Sequence, residues 1–141
     1  MWYDESVIYQ IYLLGYVGAP EKNDGQLEHR ILKIIEHIDH FKKLGISAIY
    51  FCPIFESSQH GYDTKDYTKI DCRLGNNEDF KLVCDHLHKN NIRVIIDGVF
   101  NHCGSFNKWL DRVGFYKANG TYEAGAYESQ ESPYHTFFKF N

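Results

Sequence analysis

An α/β fold with parallel strands is predicted by three observations in this 141-residue sequence. Three short runs, residues 7–12, 46–52 and 92–97, are rich in β-branched and aromatic side chains, as strands are. Between them lie two stretches whose apolar residues recur at helical spacing. Each helical stretch stops within one or two residues of the next strand run. Such alternation implies βαβ units around a parallel sheet.

The first strand run (VIYQIY) leads into loop chemistry across residues 15–25, where Gly15, Gly18, Pro20, Asn23, Asp24 and Gly25 crowd together. From Gln26 the period changes. Leu27, Ile31, Ile34, Ile35, Ile38 and Phe41 fall on one helical face, with Lys33, Glu36 and Lys43 elsewhere. This helix is predicted to run to Leu44 and to stop at Gly45, in the position that tolerates a left-handed backbone. Residues 46–52 (ISAIYFC) are almost continuously apolar, as a strand covered on both faces must be, and Pro53 closes the ladder because it has no N–H. Residues 53–75 read as a long polar and aromatic connection. A second helix is predicted after Asn76 and Asn77, either of which suits the N-cap. Glu78 and Asp79 fit its positive first turn, and Phe80, Val83, Cys84 and Leu87 share a face. Residues 92–97 (IRVIID) are the third strand.

Composition removes several classes of function. A 43% hydrophobic, 24% charged chain can bury a core. Its net charge of −4 argues against a nucleic-acid partner, which demands a basic stripe. No run approaches the roughly 20 apolar residues of a bilayer span, so no membrane partner is expected. The start, residues 1–5 (MWYDE), lacks the basic and apolar regions of a secretory signal, and Cys52, Cys72, Cys84 and Cys103 have no C-x-x-C spacing. A cytoplasmic chain with reduced thiols is the expectation. Without an H-E-x-x-H pattern, His37, His40, His86 and His88 read as exposed helix residues rather than metal ligands.

Parallel sheets of this kind place chemistry at the carboxyl ends of their strands. The third strand ends in Asp97-Gly98-Val99-Phe100-Asn101-His102. Polar groups there need partners, and they are either a network that ties off the strand or a site. The connection after the second strand holds Gly61-Tyr62-Asp63-Thr64-Lys65-Asp66-Tyr67. It is either a surface loop whose tyrosines pack locally or a segment offering flat rings and carboxylates to a sugar.

Together, GYDTKDY and DGVFNH, each following a strand and in this order, resemble blocks of the alpha-amylase family of glycoside hydrolases. The preceding NDGQLEHRILKIIEHIDHFKKLGISAIYFCPIFES is similar to that family's first helix and second strand. Within the family the similarity runs to intracellular cyclomaltodextrinase- and neopullulanase-like enzymes. It is good over residues 7–104 and weak from Ser105 onward, apart from the aromatic segment 132–138.

The resemblance implies the N-terminal part of a (β/α)8 TIM barrel, about three βα units in residues 1–104. Residues 105–141 would then begin the excursion after the third strand, a domain B-like segment. It also implies a retaining reaction on α-glucosidic linkages of maltooligosaccharides, starch or cyclodextrins. By position, Tyr62 would stack on the sugar before the scissile bond, and His102 would hydrogen-bond its primary hydroxyl. Asp97 would organise the strand end, and Asp63 and Asp66 would shape the wall of the subsite. Asn101 matches a position that binds calcium in some members; no other cofactor is implied.

A retaining glycosidase needs two carboxyl groups roughly 5 to 5.5 Å apart. In the family they come from later strands, and no Gly-Phe-Arg-x-Asp nucleophile block occurs in this sequence. A barrel of this type takes about 250 residues. The 141-residue chain by itself is therefore expected to be inactive, with a non-catalytic carbohydrate-binding or interaction module as the alternative reading, and an unrelated small α/β protein as a third. Three strands of an open sheet leave edges unpaired, so self-association is expected. A concentration-independent monomer in light scattering would contradict it.

Overall fold

The computed structural model describes residues 1–118 and 124–140. Its centre is a parallel three-stranded sheet of β1 (Ile8–Ile11), β2 (Ala48–Phe51) and β5 (Arg93–Ile96), in the order β1-β2-β5. Gln10 pairs with Tyr50, and Tyr50 with Ile95. The three predicted strands therefore form, each trimmed by one or two residues at its ends.

Alternation gives the sheet two unlike faces. Tyr9, Ile11, Ile49 and Phe51 point to the helices and join the main core cluster, where Ile49 and Phe51 are fully buried. Gln10, Tyr50 and Ile95 share the other face, which the described residues leave partly open. Edge strands β1 and β5 also stay exposed at Ile8 and Ile96.

The first predicted helix is shorter and broken. A single turn, α1 (Leu13–Tyr16), comes earlier and includes Gly15, because Leu13 and Leu14 drop into the core while the Tyr12 ring packs over the glycine. The expected loop begins only after it. Residues 26–29 are not helical: Glu28 donates its amide to the Cys72 carbonyl, and Leu27 is exposed. Helical structure starts with a 3-10 turn at Arg30–Leu32, continues as α2 (Lys33–Glu36), breaks at His37 and resumes as α3 (Ile38–Lys43). At the break, His37 donates its amide to the Ile34 carbonyl, and its ring meets the Tyr16 hydroxyl. Gly45 has φ +71, as the helix stop requires.

Residues 53–75 contain an unexpected antiparallel hairpin, β3 (Phe55–Ser57) with β4 (Thr64–Ile70). Helix α4 (Asn77–Lys89) then starts on a capping box: Asn76 Oδ1 accepts from the Asp79 amide, and Asp79 Oδ2 from the Asn76 amide. Val83 and Leu87 on its inner face are fully buried. Beyond β5, one turn, α5 (Phe115–Ala118), and a 3-10 turn at His135–Phe137 are regular. Residues 119–123 and 141 of the expected domain B-like segment lie outside the described residues. All four cysteines are free, as expected. His40 and His88 are exposed, whereas His37 and His86 are half-buried.

Candidate functional site

The carboxyl ends of β1, β2 and β5 lie side by side, because Cys52 donates its amide to the Ile11 carbonyl and Asp97 its amide to Phe51. Their next inward side chains, Tyr12, Cys52 and Asp97, continue the face of Gln10, Tyr50 and Ile95. Gln10 Nε2 donates to Cys52 Sγ at 3.3 Å. Asp97 lies near the Tyr50 hydroxyl, and burial followed by that carboxylate raises the Tyr50 pKa above the ordinary tyrosine value.

The β3–β4 turn brings Tyr62 to this cluster. Gly61, at φ +93, lies where a Cβ would sit 3.1 Å from the Pro53 carbonyl oxygen, so only glycine lets the turn fold this close over the end of β2. Burial, then the Cys52 thiol beside its hydroxyl, then the Asp97 charge push the Tyr62 pKa up to about 12. The phenol is thus firmly neutral, and it offers a flat face. His102 Nε2 lies 3.1 Å from the Tyr62 carbonyl, and since a carbonyl can only accept, that nitrogen carries the proton. The Tyr67 hydroxyl donates to the carbonyls of Val99 (2.5 Å) and His102 (3.2 Å), and the Tyr12 hydroxyl to that of His60. The loop after β5 is stitched to the hairpin by these bonds.

Tyr62, Asp97 and His102 therefore lie near one another. His102 spends Nε2 on the protein, which leaves Nδ1 without a hydrogen bond among the described residues.

Asp63 lies beside them in a structural role. Its Oδ2 accepts the amides of Ser58 (3.1 Å) and Gln59 (2.9 Å), holding the turn in shape. Its Oδ1 makes no hydrogen bond, and His60 Nδ1, 3.5 Å away, already accepts the Tyr62 amide.

Asp66 is not part of the cluster. On β4 it alternates with Tyr67, and its Oδ1 is taken by the Thr68 amide and hydroxyl and by Lys108 Nζ at 2.7 Å. Burial alone would raise its pKa; Lys108 and Thr68 outweigh burial and hold it below the ordinary 3.8. A carboxyl group lowered on folding adds stability above its unfolded pKa, and that stability is lost as pH falls through the native value. The stability difference between the wild type and Asp66→Asn is expected to be complete at neutral pH and to vanish below pH 3.8, by urea unfolding across a pH series.

Asn101 is exposed and makes no hydrogen bond among the described residues. Calcium takes six to eight oxygens. Among the described residues, no three His, Cys, Asp or Glu ligand atoms converge beside it. The one such convergence among the described residues is Glu56, Asp71 and Cys72, whose carboxylate oxygens are already bonded to protein donors. The described residues around Asn101 do not by themselves fit a calcium ion.

Sequence reasoning missed Gln10, Tyr50 and Cys52. Period-two alternation through β1 and β2 was the available signal, since it sets all three on the face that carries Asp97 at its end. Beside His102 opens an aromatic cleft of about 670 Å3 that also includes Tyr67, Phe100 and Trp109, with Tyr67 and Trp109 stacked at 5.5 Å between ring centroids.

Phenols, a carboxylate and an imidazole gathered at the carboxyl ends of parallel strands fit the N-terminal part of a barrel-type α/β protein, a class that carries its chemistry at that end. The chain belongs to the alpha-amylase family: residues 10–140 match the model of the alpha amylase catalytic domain. It is 43% identical over 110 residues to an amylopullulanase of Thermoanaerobacterium thermosulfurigenes, covering 77% of this chain and 6% of that one. It is 33% identical over 127 residues to a cyclomaltodextrinase of a Bacillus species, covering 78% and 23%. The isomaltulose synthase of Protaminobacter rubrum superposes with a TM-score of 0.70 at 32% identity, covering 96% of this chain and 22% of the synthase. The chain thus spans about a quarter or less of these relatives and corresponds to the N-terminal portion of their barrel.

Proposed function

We propose that this chain forms the sugar-facing wall of one subsite in a retaining glycosidase that acts on α-glucosidic linkages of maltooligosaccharides or related α-glucans. The observation that carries the reading is the convergence of Tyr62, Asp97 and His102 at the ends of β2 and β5. Tyr62 supplies a neutral aromatic face for a pyranose ring. His102 offers Nδ1 to a hydroxyl, and Asp97 orders the strand end through Tyr50 and Tyr62. Residues 1–104 are the barrel part, and residues 105–141 open the excursion after β5. The chain alone turns over no substrate, because Asp97 matches the family's structural aspartate and the sequence carries no Gly-Phe-Arg-x-Asp nucleophile block.

Isothermal titration with maltose and maltotriose tests the subsite. The expected result is a saturable heat that Tyr62→Ala abolishes, with no reducing sugar released over hours. Absence of heat in the wild type, or heat unchanged in Tyr62→Ala, would refute the subsite; turnover by the chain would refute the inactivity.

A further inference from the structure

We propose that His60 is a positioning residue for Tyr62 and that a proton on His60 Nδ1 releases it, which makes the β3–β4 turn a pH switch for the sugar platform. The proposal rests on the reading of Tyr62 as that platform. His60 Nδ1 lies 3.2 Å from the Tyr62 amide nitrogen. An amide can only donate, so Nδ1 is unprotonated and the ring proton sits on Nε2. The two rings also lie against each other, with centroids 6.2 Å apart and planes tilted by 38°. His60 itself is anchored to the end of β1, since its carbonyl accepts the Tyr12 hydroxyl at 3.3 Å. It therefore holds Tyr62 by backbone and ring together.

The same nitrogen lies 3.5 Å from Asp63 Oδ1. That oxygen is buried and makes no hydrogen bond, because the nitrogen facing it is an acceptor like itself. A proton on Nδ1 reverses both relations. The imidazolium and the Tyr62 amide become two donors, which cannot bond, whereas the imidazolium and the orphan carboxylate oxygen become a charge-assisted pair. Asp63 Oδ2 stays with the Ser58 and Gln59 amides, so the imidazole turns toward the carboxylate and away from Tyr62. The His60 side chain is 59% exposed, so solvent supplies the proton. Histidine is the side chain whose charge ordinarily changes between pH 5 and 8. The other titratable groups around His60 are the Tyr62 and Tyr12 phenols and Glu21, which shares a small pocket with Tyr12 and Gln59. Arg73 and Asp71, which act on Tyr12, are paired with each other. A second imidazole, His102, reaches Tyr62 through its carbonyl, and a variant at His60 separates the two.

NMR of the whole chain with 15N-labelled tyrosine, together with maltose titration, tests this across pH 5 to 8. The Tyr62 amide is identified by its loss in Tyr62→Phe. In the wild type it is expected to move in one step as pH falls, while maltose binding weakens by roughly three- to tenfold, the span of one hydrogen bond. His60→Gln, which cannot titrate, is expected to remove the amide step and the drop in affinity that goes with it. Asp63→Asn keeps a carbonyl oxygen for the turn but no charge for the imidazolium, and is expected to move the step to lower pH. A wild-type amide without a step would overturn the proposal, as would a step unchanged in His60→Gln or a step that leaves the maltose Kd flat. Should the wild type bind no maltose at any pH, the subsite reading fails while the amide step still decides the switch. Should His60→Gln fail to fold, Asp63→Asn decides it, an unmoved step overturning the proposal.

Discussion

Replacing Arg73 with alanine is expected to destabilise the chain by about 3–5 kcal/mol, a large share of the roughly 5–15 kcal/mol that holds an ordinary domain folded. Arg73 has no exposed surface, and all five of its guanidinium N–H groups are bonded. Nε and Nη2 grip the two oxygens of Asp71 at 2.8 and 2.7 Å, Nη2 also reaches Ser57 Oγ, and Nη1 donates to the carbonyls of Pro20 and Glu21. Asp71 in turn accepts the Ser57 amide and hydroxyl. This pair clamps the loop after α1 to the end of β3 and the end of β4. Removing the guanidinium strands a carboxylate at 1% exposure. Removing both partners costs less than the two single losses added, because no charge is then left unpaired. Urea unfolding of Arg73→Ala, Asp71→Ala and the double variant checks both statements; additive losses, or a loss under 1 kcal/mol for Arg73→Ala, would show that the clamp contributes little.

Gly104→Ala is expected to detach the segment after β5 from the hairpin. A Cβ at residue 104 would sit 2.4 Å from the Asp63 carbonyl oxygen and 2.8 Å from its carbon, both backbone atoms that cannot step aside. The close approach exists because the Gly104 amide donates to the Thr64 carbonyl, after which Asn107 Nδ2 donates to the same oxygen and the Lys108 amide to Lys65. The segment thus runs along β4, and His102 is two residues upstream. Overpacking of this kind costs about 1–3 kcal/mol. The functional loss is expected to be larger, since the Tyr62–His102 contact depends on this alignment. Thermal unfolding and maltose titration measure the two effects, and full maltose affinity in Gly104→Ala would refute the coupling.

Legibility in the sequence followed the range of the interactions. Helix α4 was readable because its start is signalled within four residues, by the Asn76–Asp79 reciprocal cap, and its face by Val83 and Leu87. Gly45 was readable for the same reason. The hairpin was not, because three of its four buried side chains are polar: Ser57, Thr64 and Asp66 point inward with Ile70, against the apolar-in rule that marks a strand. Their partners, such as Lys108 for Asp66, lie tens of residues away. The first helix failed at both ends of the argument. Leu27 fits the apolar period, yet its neighbour Glu28 is held by Cys72 across the fold.

By itself the sequence determined the parallel α/β order, the covered face of the sheet and the strand ends at which Tyr62, Asp97 and His102 gather. Those features rest on local propensity and on the two periods of apolar residues. Only the tertiary structure decided which motif residues share a site: Asp66, four residues from Tyr62, turns away to Lys108, whereas Gln10, outside both motifs, reaches Cys52 at the end of β2. The reason is geometric, since a strand sends alternate side chains to opposite faces, and a buried carboxylate goes where a distant donor neutralises it.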